Sequence, residues 1–433
     1  MLKNKITYLA VFLFCLLAVL ADYLLILRYQ SWGFSASNIL YYSIALILAQ
    51  VVVFFSIFIY RQLINPYSLY AAFIYIYGYS FLNISDRQFE YTFSFTLICL
   101  LSIFSFLLGC IFVGKLKTIS FSNIFPKLND RFSLLFTHGL IVISTLVFVS
   151  EIKQLGYLPL LNVSNLDVYS DLSSNNVTPM HNFIVLCALL PTIYYIHYKR
   201  GVIRGSLLLV LTLWCGFILL NYLSRQIIIL SLLSFVSAIN YYNRISIAKM
   251  LLYLGVFAIG FVALGSLRSS SNVEEDANAF LKVYGGIDKP TNIAETYLSL
   301  YGAVNFSQGD IIVKTAQKDH FMAMGKYTFR PVIASLPFDK NTVYPVKYSS
   351  YDLLGTYLTD PYLDFGWIGV ITLNFLYGAF SMNSFKKYLN KMSEYVILEW
   401  TLVAFCILMA AFTNYVNTFF VFFLFIISRI TIK

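Results

Sequence analysis

Arg225 interrupts an apolar stretch that otherwise runs from Leu207 to Ile239, in the sequence NYLSRQIII. One straight crossing cannot hold that stretch, so the chain must turn back there with the guanidinium at or just below a membrane surface. An intramembrane arginine is costly unless it is paired or faces a wet cavity, which makes Arg225 a functional candidate. An arginine that snorkels to lipid phosphates fits the same position. Arg268 follows the next apolar run in LGSLRSSSN, and Arg330 sits in GKYTFRPVIASLPF. Each alone also reads as structural. Together they offer permanently charged planar forks, a donor geometry that suits a diphosphate at an interface.

His320, in TAQKDHFMAM, is the only histidine between residues 268 and 364. Imidazole exchanges a proton near neutral pH, so His320 is the first candidate for a general base, against the plainer reading of a surface histidine on an amphipathic helix. His181, at the start of another apolar run, is the second choice; His138 and His197 fall nearer the opposite face. Asp22, inside the first apolar run, is expensive in lipid and is expected to face the bundle, as a partner for an arginine or as an acid of the site.

These residues need a membrane scaffold. Of 433 residues, 59% are hydrophobic and 12% charged, far from the balance a soluble surface needs. The apolar residues come in runs of helix-spanning length rather than in period-two alternation, which predicts an all-α polytopic membrane protein and not a β-barrel. Helices are expected at about 6 to 27, 39 to 60, 67 to 84, 92 to 114, 133 to 150, 181 to 198, 206 to 223, 226 to 242, 250 to 267, 366 to 384, 395 to 412 and 415 to 430. The first is too long for the core of a cleaved signal. All six cysteines fall inside apolar runs without CxxC spacing, so neither a disulfide framework nor a zinc site is expected.

The formal charge of +10 is scattered at helix ends and predicts lipid contact rather than nucleic acid. Lys and Arg concentrate in alternate loops, which places both termini in the cytoplasm. The chain then divides into helices one to nine (1–267), a large outer loop (268–364) and helices ten to twelve (365–433). Within the loop, Asn292 to Asn305 sets Ile293, Tyr297, Leu298, Tyr301 and Val304 on one helical face, and Asp310 to Met324 reads as another short helix. Pro331, Pro337, Pro345 and Pro361 are expected to break the rest into turns and extended pieces. The expected result is a cap of amphipathic helices lying against the outer leaflet.

No Walker motif, GxSxG, HExxH or DxD occurs, which argues against an ATP-driven pump, a serine hydrolase, a zinc protease and a transferase that grips a metal with paired carboxylates. Glu274, Glu275 and Asp276 form the one acidic run and read as a solvated loop start. Phe and Tyr are sparser in the large loop than in the chain as a whole, so aromatic content gives no signal for sugar binding there.

Three segments carry a resemblance: LSRQIIILSLLSF at 223 to 235, MGKYTFRPVIASLPF at 324 to 338, and YLTDPYLDFGWIGVITLNFLYG at 357 to 378. With the overall layout they resemble the bacterial O-antigen polymerase family (Wzy type), the oligosaccharide repeat unit polymerases. In the third segment Asp364, Phe365, Gly366 and Gly369 look like the family's entry into the helix after the big loop, with the glycines allowing close packing. Paired arginines followed ten residues later by a glycine, seen in some members, occur here only at Arg244 and Gly255, on the side read as cytoplasmic.

The resemblance implies polymerisation of undecaprenyl diphosphate-linked repeat units at the periplasmic face of the inner membrane, with no metal or nucleotide cofactor. Under it, Arg225, Arg268 and His320 carry the chemistry, while Arg330, Asp22 and Tyr301 contact the substrate. The implied partners are lipid-linked oligosaccharides, membrane lipids and a chain-length regulator of the Wzz type. An O-antigen ligase and a lipid-linked oligosaccharide flippase or transporter are the alternatives. A transporter should show repeated halves with helices broken at the midplane, and no repeat is visible in the sequence.

Overall fold

The computed structural model describes residues 36–82, 91–118, 130–161, 179–222, 225–253, 304–334 and 355–432, with a few isolated positions elsewhere. Among them there are helices and turns and no strands. The main helices are α1 (Ala36–Tyr60), α2 (Pro66–Leu82), α3 (Phe93–Lys115), α4 (Asp130–Leu155), α5 (Leu190–Lys199), α6 (Gly205–Tyr222), α7 (Arg225–Asn243), α8 (Val304–Lys318), α9 (Arg330–Ala334), α10 (Thr359–Leu389), α11 (Tyr395–Leu408) and α12 (Phe419–Thr431). Six of these, α1, α3, α4, α6, α7 and α10, are long and apolar enough to cross a membrane. The expected helices at 6 to 27, 250 to 267 and 292 to 305 lie wholly or largely outside the described residues, as do Asp22, Arg268 and Tyr301.

Packing is closest where small residues let backbones meet. A Cβ added to Gly109 of α3 would lie 2.1 Å from the Phe375 carbonyl oxygen of α10, and one on Gly378 would lie 2.1 Å from that of Phe106. Only hydrogen fits at these two points, so α3 and α10 touch backbone to backbone. The Cys110 thiol donates to the Gly378 carbonyl at 3.2 Å across the same contact.

Four expected helices differ in form, in three ways. The run at 181 to 198 is a chain of short pieces, 3-10 turns at Pro179–His181 and Leu186–Ala188 with Asn182–Val185 between them, ahead of α5. Pro191 has no N–H to continue the ladder, and the turn before it tightens, with Leu189 donating to Leu186 at 2.8 Å. The helices expected at 395 to 412 and 415 to 430 stop short: α11 has 14 residues and α12 has 13, about 20 Å each at 1.5 Å per residue, against hydrocarbon about 30 Å thick.

The third difference is the entry to α10. The helix begins at Thr359 rather than 366, and Gly366 at φ 60, ψ −144 reverses the chain inside it. A side chain would be strained in that conformation. Residues 359–365 then lie beside the first turns of α10, close enough that a Cβ on Gly369 would sit 2.2 Å from the Pro361 carbonyl oxygen. The glycines therefore act on their own chain: Gly366 makes the reversal and Gly369 lets the two arms close. Tyr357 reaches the level of Tyr377, ring to ring at 6.1 Å, about 16 Å along α10 from the reversal.

The arm enters through residues 355–358, which are buried and non-helical, so their polar groups must be met by protein. The Tyr357 N–H donates to the Ala410 carbonyl just past α11 at 3.1 Å. The Tyr357 hydroxyl is shared with Tyr70 at 2.6 Å and Ser102 at 2.7 Å. Pro331 and Pro361 sit in the first turns of helical pieces, where the missing N–H costs nothing, and they open helices instead of breaking the chain.

The helix expected over Asp310 to Met324 is found at Val304–Lys318 as α8, and 10 of its 15 residues are buried. It is wedged between helix ends instead of resting on their surface. Phe306 meets Phe73 at 5.3 Å and Tyr77 at 5.4 Å. Asp310 accepts from the Thr92 backbone N–H at 3.2 Å and from its hydroxyl, tying α8 to the N-cap of α3.

Candidate functional site

The segment after α8 folds over the reversal. The Ala323 and Met324 N–H groups donate to the carbonyls of Leu363 and Asp364 at 2.8 and 3.2 Å. The Asp364 carboxylate, fully buried, accepts the backbone N–H of Tyr327 at 3.1 Å and that of Thr328. Two of the three segments that carry the resemblance, 324 to 338 and 357 to 378, are thereby clamped together. Arg330, the first residue of α9, follows directly.

Below this clamp the short helices supply the other wall. The turn between α11 and α12 presents Asn414 and Asn417, and both amides donate to Asp360 Oδ2, at 3.1 and 3.0 Å. Asn417 also donates to the Tyr327 carbonyl at 2.9 Å, joining the turn to the clamp. Asp360 is half-buried, with Arg330 and Asp364 as charged neighbours.

Beside Asp360 lies a cavity of about 240 Å³. Its walls include Thr328, Tyr357, Pro361, Asn374, Tyr377 and both asparagines of the turn. Three lining groups, Thr328 Oγ1, Asn374 Oδ1 and Tyr377 Oη, are buried without a hydrogen-bond partner among the described residues. Leaving a polar atom dry costs about 1–3 kcal/mol, so three in the walls of one cavity make it the place where a polar ligand or water could complete the bonding after a small side-chain adjustment. The mouth is apolar: Phe380 and Val416, each 47% exposed, flank it.

The residues singled out from sequence are placed as follows. Arg330 stands at the rim of this site, exposed on its helix. His320 is exposed in the turn that closes α8, at φ 49, with its N–H bonded to the Gln317 carbonyl at 3.3 Å; no described contact brings it to the cavity. Arg225 opens α7, and its backbone alone is described. Asp22, Arg268 and Tyr301 fall outside the described residues, so they are neither joined to the site nor separated from it.

His181, the second choice, has a more organised setting than His320. Its Nδ1 lies 3.2 Å from both oxygens of the buried Glu151, which also accepts the Tyr222 hydroxyl. Its side chain is 31% exposed. This carboxylate-oriented imidazole ties the ends of α4 and α6 to the start of the broken run. Among the described residues, no three His, Cys, Asp or Glu side chains converge as a metal-binding set.

Sequence reasoning missed Asp360, Asn374, Asn414, Asn417 and Thr328. Asp360, Asn374 and Thr328 lie inside the resembling segments, and Asp360 with Asn374 carried a signal that went unread: polar residues in an otherwise apolar stretch. Asn417 carried the same signal inside the helix expected at 415 to 430, and Asn414 lay in the two-residue gap before it. Compared with known proteins, the chain finds no similar family model, no similar curated protein and no similar solved structure.

Proposed function

We propose that this protein is a membrane glycosyltransferase that polymerises undecaprenyl diphosphate-linked oligosaccharide repeat units, with the site at the α10 reversal facing the periplasm. The observation that carries the reading is the cavity: three dry polar groups and two tyrosines beside a carboxylate, at a depth along α10 that a substrate anchored in the bilayer can reach. An apolar mouth suits a lipid carrier, and a mostly apolar cavity whose walls include Thr328, Asn374, Asn414 and Asn417 suits one sugar ring. Arg330 at the rim offers a cation for the diphosphate.

The orientation rests on charge. The opposite end of the bundle holds Lys386, which donates to the Val113 and Gly114 carbonyls at 3.1 and 3.2 Å, and Arg200, which meets Asp130 at 2.7 Å. Lys115, Lys199 and Lys391 belong to the same end, so it is the cytoplasmic one by the positive-inside rule. Single cysteines at the exposed positions Asp319 and Asn390 test this in spheroplasts with an impermeant maleimide. The expected result is labelling at Asp319 alone, and the reverse pattern overturns the orientation. The reaction itself is tested with purified protein in nanodiscs given lipid-linked repeat units; a ladder of longer glycans supports it, and unchanged single units sink it.

One observation favours a second reading. A re-entrant arm meeting two short helices inside a bundle is also how transporters build midplane sites. A flippase would move a fluorescent lipid-linked glycan across proteoliposome membranes without lengthening it, and that result replaces the polymerase reading.

A further inference from the structure

We propose that the cavity is the subsite for the acceptor's terminal sugar and that Asp360 is the base that takes the proton from the attacking hydroxyl. This rests on the glycosyl-transfer reading above and assigns the chemistry within it.

The lining defines the ligand. Asn374 Nδ2 donates to the Val370 carbonyl at 2.6 Å, which fixes the amide and leaves Oδ1, in the cavity wall, as an acceptor without a partner among the described residues. A ligand there must bring a donor. Thr328 Oγ1 and Tyr377 Oη each accept as well as donate, so hydroxyl groups satisfy all three atoms. No Lys or Arg lines the cavity and most of its lining is apolar, so it suits the neutral faces of a sugar ring rather than the diphosphate. At about 240 Å³ it is smaller than the roughly 300–1,000 Å³ of drug-sized sites and admits one sugar ring. Tyr357 and Tyr377 supply aromatic faces against that ring.

Asp360 is set up to accept a proton. The Asn414 and Asn417 amides hold Oδ2, while Oδ1 has no hydrogen-bond partner among the described residues. Both asparagines and Pro361 line the cavity, so Asp360, bonded to the first two and preceding the third in the chain, adjoins its wall. In the step, the acceptor hydroxyl gives its proton to Oδ1 as its oxygen bonds to the donor's anomeric carbon. The bond from that carbon to the diphosphate oxygen breaks, and the electron pair leaves with the diphosphate. The proton on Asp360 is then passed to water or to the departing diphosphate, restoring the carboxylate.

The test uses the full chain in nanodiscs with radiolabelled undecaprenyl diphosphate-linked repeat units from a polymerase-deleted strain. Asp360→Asn keeps shape but not basicity, so kcat is expected to fall at least 100-fold with KM within about twofold. Asp360→Glu should retain measurable turnover, with the acidic limb of its pH-rate profile displaced from that of wild type. Asn374→Leu and Thr328→Val should each raise KM about tenfold with kcat nearly kept. A kcat above a tenth of wild type in Asp360→Asn overturns the base, and unchanged KM in both cavity variants overturns the subsite. A cysteine at Val416, at the mouth, gives a readout that needs no turnover. The repeat unit should shield it from alkylation in the Val416→Cys protein and not after Asn374→Leu is added. Shielding without polymerisation, even in wild type, would leave the subsite standing and sink both the base and the glycosyl-transfer reading. Absence of shielding beside active wild type would sink the subsite alone.

Discussion

The two ends of the bundle treat their carboxylates differently. At the basic end each one meets a cation: Arg200 joins Asp130 and Glu394, and Lys387 meets Glu399 at 3.1 Å with both side chains buried. At the other end the hydrogen bonds come from uncharged donors, amides for Asp360, backbone N–H groups for Asp364 and Thr92 for Asp310. Glu151 there takes a tyrosine and an imidazole. Cation-paired carboxylates are neutralised and fasten helices together. A carboxylate held by neutral donors is not tied up in an ion pair and can still take up a proton, which is what a proton-transfer site needs.

The contrast breaks most sharply at the buried pair. Lys387→Met leaves Glu399 charged and alone, at a cost of about 3–5 kcal/mol, seen as a large fall in the thermal midpoint in detergent. Adding Glu399→Leu should recover most of the loss, because two apolar side chains need no partner. If the double variant is no better than the single, Lys387 serves something other than charge pairing.

Asp364→Ala should cost somewhat less, about 2–3 kcal/mol, from two N–H groups left without their acceptor. It should also raise KM, because Thr328 loses the bond that holds it over the cavity. Stability falling with unchanged KM would mean the clamp does not position the site.

The smallest effect is expected at Asp310, on α8. Burial raises its carboxyl pKa above the ordinary value, against the bonds from Thr92. The folded state thus favours the protonated form, so the penalty is present at pH 7 and is relieved as pH falls through the raised value. Asp310→Asn keeps an acceptor for Thr92 and carries no charge. It should be at least as stable as wild type at pH 7, and the two thermal midpoints should converge toward pH 4, near the ordinary Asp pKa of about 3.9. A variant less stable at pH 7 than at pH 4, relative to wild type, would show that α8 depends on the charge.

The sequence by itself determined the helical membrane character, the approximate places of most described helices and the importance of the glycines at 366 and 369. The first two follow from local composition, because apolar run length sets helix length; the glycines stood out through the resemblance of their segment. Tertiary structure alone decided that α8 is buried, that residues 359–365 turn back beside α10, and that Asn374 faces the same space as Asn414 and Thr328. Those facts depend on residues far apart in the chain meeting at depth, through the single reversal at Gly366 and two helices too short to cross. Hydropathy reads how apolar a segment is and not where its few polar atoms point. The site was therefore divided between segments that read as membrane helix, with Asn374 and Asn417, and a segment that read as outer loop, with Thr328 and Asp360.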